Sequence, residues 1–183
     1  MLSGFVAWLR NLSGRAGPAS PAHQRARDAA EAKRLFRRAT RGDAAARREL
    51  GRAYLAGRGV PASTAEGVRW LTLAIEGGDA EARLVLAQLH LRGLGHADTT
   101  DLFAAPVAGV TDAPAAARLA LSAAEDGSVE AMSLYAWLCA TGQGVEKDPA
   151  AAARWYGRAA EAGHAPAKLG LGMIRLHGLD GVT

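Results

Sequence analysis

Three observations predict an all-α fold of stacked helical hairpins. Alanine and leucine supply much of the 49% hydrophobic content, while aromatic residues reach only 5%. That composition favours closely packed helices, because alanine loses no side-chain entropy on entering a helix. No alternating run of strand-forming residues occurs anywhere. Third, one hexad recurs, as "RGDAAA" at 41–46, "GGDAEA" at 77–82, "DGSVEA" at 126–131 and "AGHAPA" at 162–167. Its central glycines, Gly42, Gly78, Gly127 and Gly163, are spaced 36, 49 and 36 apart. A fixed period in this range marks an array in which each unit buries its apolar face against its neighbours.

The amino-terminal residues 1–13 read as a short amphipathic helix, with Leu2, Phe5, Leu9 and Leu12 on one face and Val6 and Trp8 beside it. A cap docked on the first repeat is its first reading, and membrane contact through residues 1–12 its second. Arg10 ends the apolar run and little positive charge precedes it, so no secretory signal is expected. No stretch approaches the ~20 apolar residues of a membrane span. Residues 14–27 read as a linker containing Gly, Pro and Ser. The array then fills 28–183, with a partial repeat at 28–43, repeats at 44–79, 80–128 and 129–164, and a truncated repeat at 165–183.

Each unit has the same internal order. A first helix follows the hexad and carries a small residue at a fixed place, Gly51, Ala87, Ala136 or Gly172, preceded by Leu50, Leu86, Tyr135 or Leu171. The small residue admits a neighbouring helix closely, and the large one packs against it. A bend comes next, "AGRGV" at 56–60, "RGLGH" at 92–96 and "TGQGV" at 141–145, whose glycines suit the left-handed closure of a helix. The second helix carries Trp70 and Trp155 at equivalent places, with Leu119 substituting in the middle unit. Asp148 is expected to cap one such helix, with Pro149 in its first turn. These bends are not phosphate cradles, since no strand precedes them and the Gly-Lys-Ser/Thr of a phosphate loop is missing. The second unit holds 13 extra residues between Gly95 and Asp112, read as a long loop over 96–111.

The net charge of +4 conceals a split. Up to Arg58 there are 13 basic and 4 acidic residues, and beyond it 9 basic and 14 acidic. A basic front end reads first as a solvated arginine-rich helix and second as a face for an anionic partner. Nucleic acid is not expected, because after the linker only Phe36 and Tyr54 accompany the basic segment. Cys139 is alone, which removes any intrachain disulfide, and it reads as a packed thiol. The five histidines form no His-Glu-x-x-His pair. His90 and His96 with Asp98 and Asp101 lack a recognised ligand spacing, so neither metal nor cofactor is expected.

The pattern "A..LG..Y..G.GV..D...A..W...AA..G" resembles the SEL-one-like repeat, a relative of the tetratricopeptide repeat. In the first full unit the matches are Ala46, Leu50, Gly51, Tyr54, Gly57, Gly59, Val60, Trp70, Ala74 and Gly78. In the unit at 129–164 they are Ala131, Gly142, Gly144, Val145, Asp148, Trp155, Ala159, Ala160 and Gly163. The resemblance implies a right-handed α-solenoid that serves as a non-catalytic scaffold for a partner protein. It also implies that groove positions fall two, five, nine, twelve and thirteen residues into each first helix. These are Arg48, Arg52 and Leu55; then Glu81, Leu84, Gln88, Leu91 and Arg92; then Glu130, Ser133, Trp137 and Thr141; and last Leu169, Met173 and His177. Arg52, Arg92 and Trp137 together suit a partner segment with acidic and apolar side chains. The alternative is an envelope or membrane-associated regulator tethered by its amino-terminal helix. The missing signal and unpaired cysteine point to the cytoplasm, with peripheral membrane association as the other reading.

Overall fold

The computed structural model describes residues 20–93 and 111–176. The amphipathic helix read at 1–13, the loop read at 96–111 except for Thr111, and His177 lie outside them. Among the described residues the chain forms eight helices. They are α1 (Pro21–Ala39), α2 (Ala44–Ala56), α3 (Thr64–Glu76), α4 (Ala80–Arg92), α5 (Ala113–Glu125), α6 (Val129–Thr141), α7 (Pro149–Glu161) and α8 (Ala165–Leu176). Each helix packs on the next in sequence, and α6 also touches α8, giving a solenoid of helical hairpins. Helix α1 begins at Pro21, inside the stretch read as linker. Ser20 accepts a hydrogen bond from the His23 amide, and Pro21 sits in the first turn, where a missing N–H is harmless.

The hexad is a helix junction with its own cap. The backbone N–H of Asp43, Asp79, Ser128 and His164 donates to the carbonyl five residues back, at 3.3, 3.1, 3.0 and 3.0 Å. The glycine before each takes a positive φ, between 85° and 97°. The side chains of Asp43, Asp79 and Ser128 then accept from the amides of Ala46, Ala82 and Ala131.

The bends are equally uniform. The N–H of Ser63, Asp112 and Asp148 donates to the carbonyl of Tyr54, His90 and Cys139, at 3.0, 3.1 and 2.9 Å. Donor and acceptor lie nine residues apart in two units (63 − 54 and 148 − 139) and 22 apart in the third (112 − 90). The difference equals the 13 inserted residues. Asp148 caps α7 through the Ala151 amide at 2.8 Å. Gly59 and Gly144 take φ near 70°, and there the chain presses on an earlier helix. A Cβ would fall 2.0 Å from the Asp28 carbonyl oxygen at Gly59 and 2.1 Å from that of Ala113 at Gly144.

The interior is lined mostly by alanine, and its largest wholly buried side chains are Leu50, Leu71 and Leu138. Its contacts divide into four clusters along the array. A Cβ on Gly51 would lie 2.9 Å from Leu71 Cγ, and Ala87 and Ala136 are wholly buried. Gly172 departs from the expected rule. It is exposed with open space around it, and the close approach falls at Gly170, where a Cβ would meet the Tyr156 ring at 2.6 Å. No described helix packs on the Gly172 side of α8, so nothing there demands a small residue. Trp70 is buried with Phe36 edge-on at 5.8 Å. Trp155 is half-buried, with Tyr135 edge-on at 5.7 Å and the Arg158 guanidinium over its ring.

These geometries predict a graded alanine series in urea unfolding. Gly144→Ala combines positive φ with a backbone clash and is expected to destabilise by about 3 kcal/mol or more. Gly163→Ala, with positive φ but open space, is expected to lose only about 1 kcal/mol. Gly157→Ala, in mid-helix with nothing nearby, is expected to stabilise by roughly 0.5–1 kcal/mol. Equal effects at 144 and 163 would refute the close approach.

Candidate functional site

The repeat register projects a fixed set of side chains from α2, α4, α6 and α8. Ten residues after each central glycine stand Arg52, Gln88, Trp137 and Met173. None is buried. The Arg52 side chain is 43% exposed, Trp137 is 39% exposed, Met173 is 55% exposed, and Gln88 is open to solvent. Arg92 is likewise exposed at the end of α4. Among the described residues Arg52 pairs with the neighbouring Glu49, at 3.8 Å, a surface pair of little energetic weight.

Position six after the glycine behaves differently and corrects the expectation for Arg48 and Leu84. Arg48 Nη1 donates to both carboxylate oxygens of Asp79, at 2.9 and 2.8 Å. Asp79 is largely buried and also caps α4, so Arg48 ties one repeat to the next. Leu84 is only 5% exposed, packed among Ala123, Ala124 and Ala131. This position therefore faces the following repeat in the first two units. Glu81, another groove expectation, accepts a hydrogen bond from Ser128 Oγ at 3.0 Å, and Arg83 pairs with Asp126. Leu169, six residues after Gly163, is well exposed, with no described repeat beyond it.

Leu55 and Leu91 are half-buried. Leu55 packs on the cluster of Leu71, Ala74 and Ala82, and Leu91 on that of Ala87, Ala116 and Leu138. Leu55 nevertheless edges a cavity of about 260 Å³ shared with Val85, Gln88, Leu89 and Arg92, where α2 and α3 meet α4. The structure thus gathers Leu55, Gln88 and Arg92 at one depression, with a cationic guanidinium, an amide and apolar walls. Sequence reading missed Phe36, which is half-exposed beside Trp70. Its α1 environment lacks the hexad that registers the other units.

Cys139 is buried, and burial pushes its thiol above the ordinary range despite a lowering contribution from Tyr135. Nδ1 of His90 and of His164 is buried without a hydrogen-bond partner among the described residues. His164 stands where the other hexads place Asp or Ser, as a junction residue. His96, Asp98 and Asp101 lie outside the described residues, so the weak metal constellation read beside the loop has no geometry here. Among the described residues, no three His, Cys, Asp or Glu side chains gather as a metal-holding group. No helix among them is long and apolar enough to cross a membrane.

The family model of the Sel1 repeat matches residues 24–43, 44–79 and 129–164. A Sel1 repeat protein from Oxalobacter formigenes is 30% identical, with a TM-score of 0.61 over 76% of this chain and 95% of its own. A protective antigen of uropathogenic Escherichia coli displaying an SLR fold is 25% identical, with a TM-score of 0.71. That match covers 96% of this chain and 33% of the antigen. No curated protein matches.

The contrast between Arg48 and Arg52 is measurable. Arg48→Ala leaves the largely buried Asp79 without its cation and is expected to cost about 1.5–3 kcal/mol in chemical unfolding. Arg52→Ala is expected to stay within about 0.5 kcal/mol. For Cys139, the raised pKa means less thiolate at pH 8 than a free cysteine carries. Its native reaction with Ellman's reagent is expected to be at least about a hundredfold slower than in urea, and to accelerate as pH rises.

Proposed function

This chain belongs to the Sel1-repeat family, whose members generally mediate protein–protein interaction, and we propose that it is a non-catalytic adaptor gripping a partner segment along α2, α4, α6 and α8. The observation that carries this reading is the exposed position ten residues after each central glycine. It is occupied in turn by Arg52, Gln88, Trp137 and Met173. Four equivalent sites with four different chemistries form a row able to read a sequence. An indole left 39% exposed on a helix of 13 residues that buries Ala131, Met132, Ala136, Leu138 and Cys139 is a ready interface anchor. Arg52 and Arg92 favour carboxylates in the bound segment, and Trp137 and Met173 favour apolar side chains. The Leu55–Gln88–Arg92 depression would seat one such side chain. The partner is therefore a protein segment carrying both acidic and apolar residues.

Affinity capture from lysate with the wild-type chain and an Arg52→Glu/Trp137→Ala variant tests the reading, with circular dichroism reporting that both are folded. A protein retained by wild type is expected to be lost by the variant. Its binding segment, titrated against Trp137→Ala alone, is expected to weaken by about thirtyfold or more. Identical recovery by both baits would rule this face out.

A further inference from the structure

Helix α1 gathers four of its six cations on one face. It packs Ala32, Ala39 and the half-buried Leu35 against α2. Arg27, Lys33, Arg34 and Arg37 are all exposed. At 100° per residue they fall within an arc of roughly 120°, turned away from Ala32, Leu35 and Ala39. The two acidic residues of α1, Asp28 and Glu31, instead line the cleft toward Glu49 and Arg58. Among the described residues Arg38 is the one α1 cation in an ion pair, with Asp43. Glu31 stands four residues after Arg27 and three before Arg34, the spacings at which a solvated helix pairs its charges, yet it pairs with neither among the described residues. Here four cations on one outer face have no acidic partner among the described residues.

We propose that this outer face of α1 docks on an anionic lipid surface. A run from Arg27 to Arg37 is about 15 Å of straight helix, long enough to lie along a headgroup layer. Clustered Lys and Arg on a helix are attracted to anionic leaflets, each contributing additively near the surface. Phe36, the aromatic residue of α1, is half-exposed but falls about 60° outside the arc of cations and packs edge-on against Trp70, so that arc itself carries no ring on which a base could stack. That favours a lipid surface over nucleic acid. Further upstream, outside the described residues, the sequence includes Leu2, Phe5, Val6, Trp8 and Leu9, apolar side chains of the kind that stable peripheral attachment combines with a basic patch. The inference stands apart from the groove reading, because it uses no residue of α2, α4, α6 or α8.

Cosedimentation of the full chain tests it, using vesicles of phosphatidylcholine alone and of phosphatidylcholine with phosphatidylserine. The comparison variant is Arg27→Gln/Arg34→Gln/Arg37→Gln, whose exposed positions keep the fold, as circular dichroism would verify. Wild type is expected to bind the anionic vesicles and release with added salt, and the variant to bind roughly a hundredfold more weakly. Equal binding to both vesicle types would overturn the proposal, as would unchanged binding of the variant. So would loss of binding only on Phe5→Ser/Leu9→Ser, or displacement by duplex DNA at lower phosphate concentration than the lipid presents.

Discussion

Among the described residues, the tightest constraint on the array is at two bends where backbone presses on backbone with no room for a side chain. At Gly59 the bend after α2 presses on the carbonyl of Asp28, and at Gly144 the bend after α6 presses on that of Ala113. Both contacts join residues 31 apart in sequence (59 − 28 and 144 − 113). Each seats one hairpin's turn against the helix that precedes the hairpin. The separation of successive units is thereby fixed by main chain rather than by side-chain bulk. An interior of alanines follows from this: helices held so close leave little volume to fill, and alanine fills it without strain.

Within that frame, polar side chains bind unit to unit. Arg48 reaches the cap of α4, Ser128 at the cap of α6 reaches back to Glu81, and Arg83 pairs with Asp126. Two of these links use a helix N-cap, where an acceptor is already required, so one carboxylate at Asp79 serves two purposes, while Asp126 lies at the end of α5. Such an array is close to one-dimensional, each unit stabilised by its own packing and by its neighbours. Arg52, Gln88 and Trp137 take no part in these unit-to-unit links and keep their exposure. The scaffold and its specificity can vary separately.

Much of this was legible in sequence, because it rests on chemistry with local signals. Glycine is needed for positive φ at the junctions, and Asp or Ser is needed to accept the third amide of a helix. Both recur at fixed intervals, so the period, the bends and the cap at Asp148 could be read directly. The orientation of position six could not. Whether Leu84 meets solvent or the next repeat depends on how one hairpin rotates against another, which no residue near Leu84 encodes. Arg48 joined to Asp79 is a contact across 31 residues, and Ser128 joined to Glu81 spans 47, including the insertion. The onset of α1 was missed for a different reason. Ser20-Pro21 is a helix start, yet its setting of glycine and proline reads as linker.

The bond from the Asp112 amide to the His90 carbonyl has an evolutionary meaning. It closes the same geometry across 22 residues that its counterparts close across nine. The join is thus indifferent to how much chain runs between its ends, as loop-closure entropy grows only slowly with length. A lineage could lengthen, shorten or replace the intervening peptide, or graft an entire folded module there, without changing the pitch of the array. In the middle unit, 13 additional residues leave the bond that closes the bend in place.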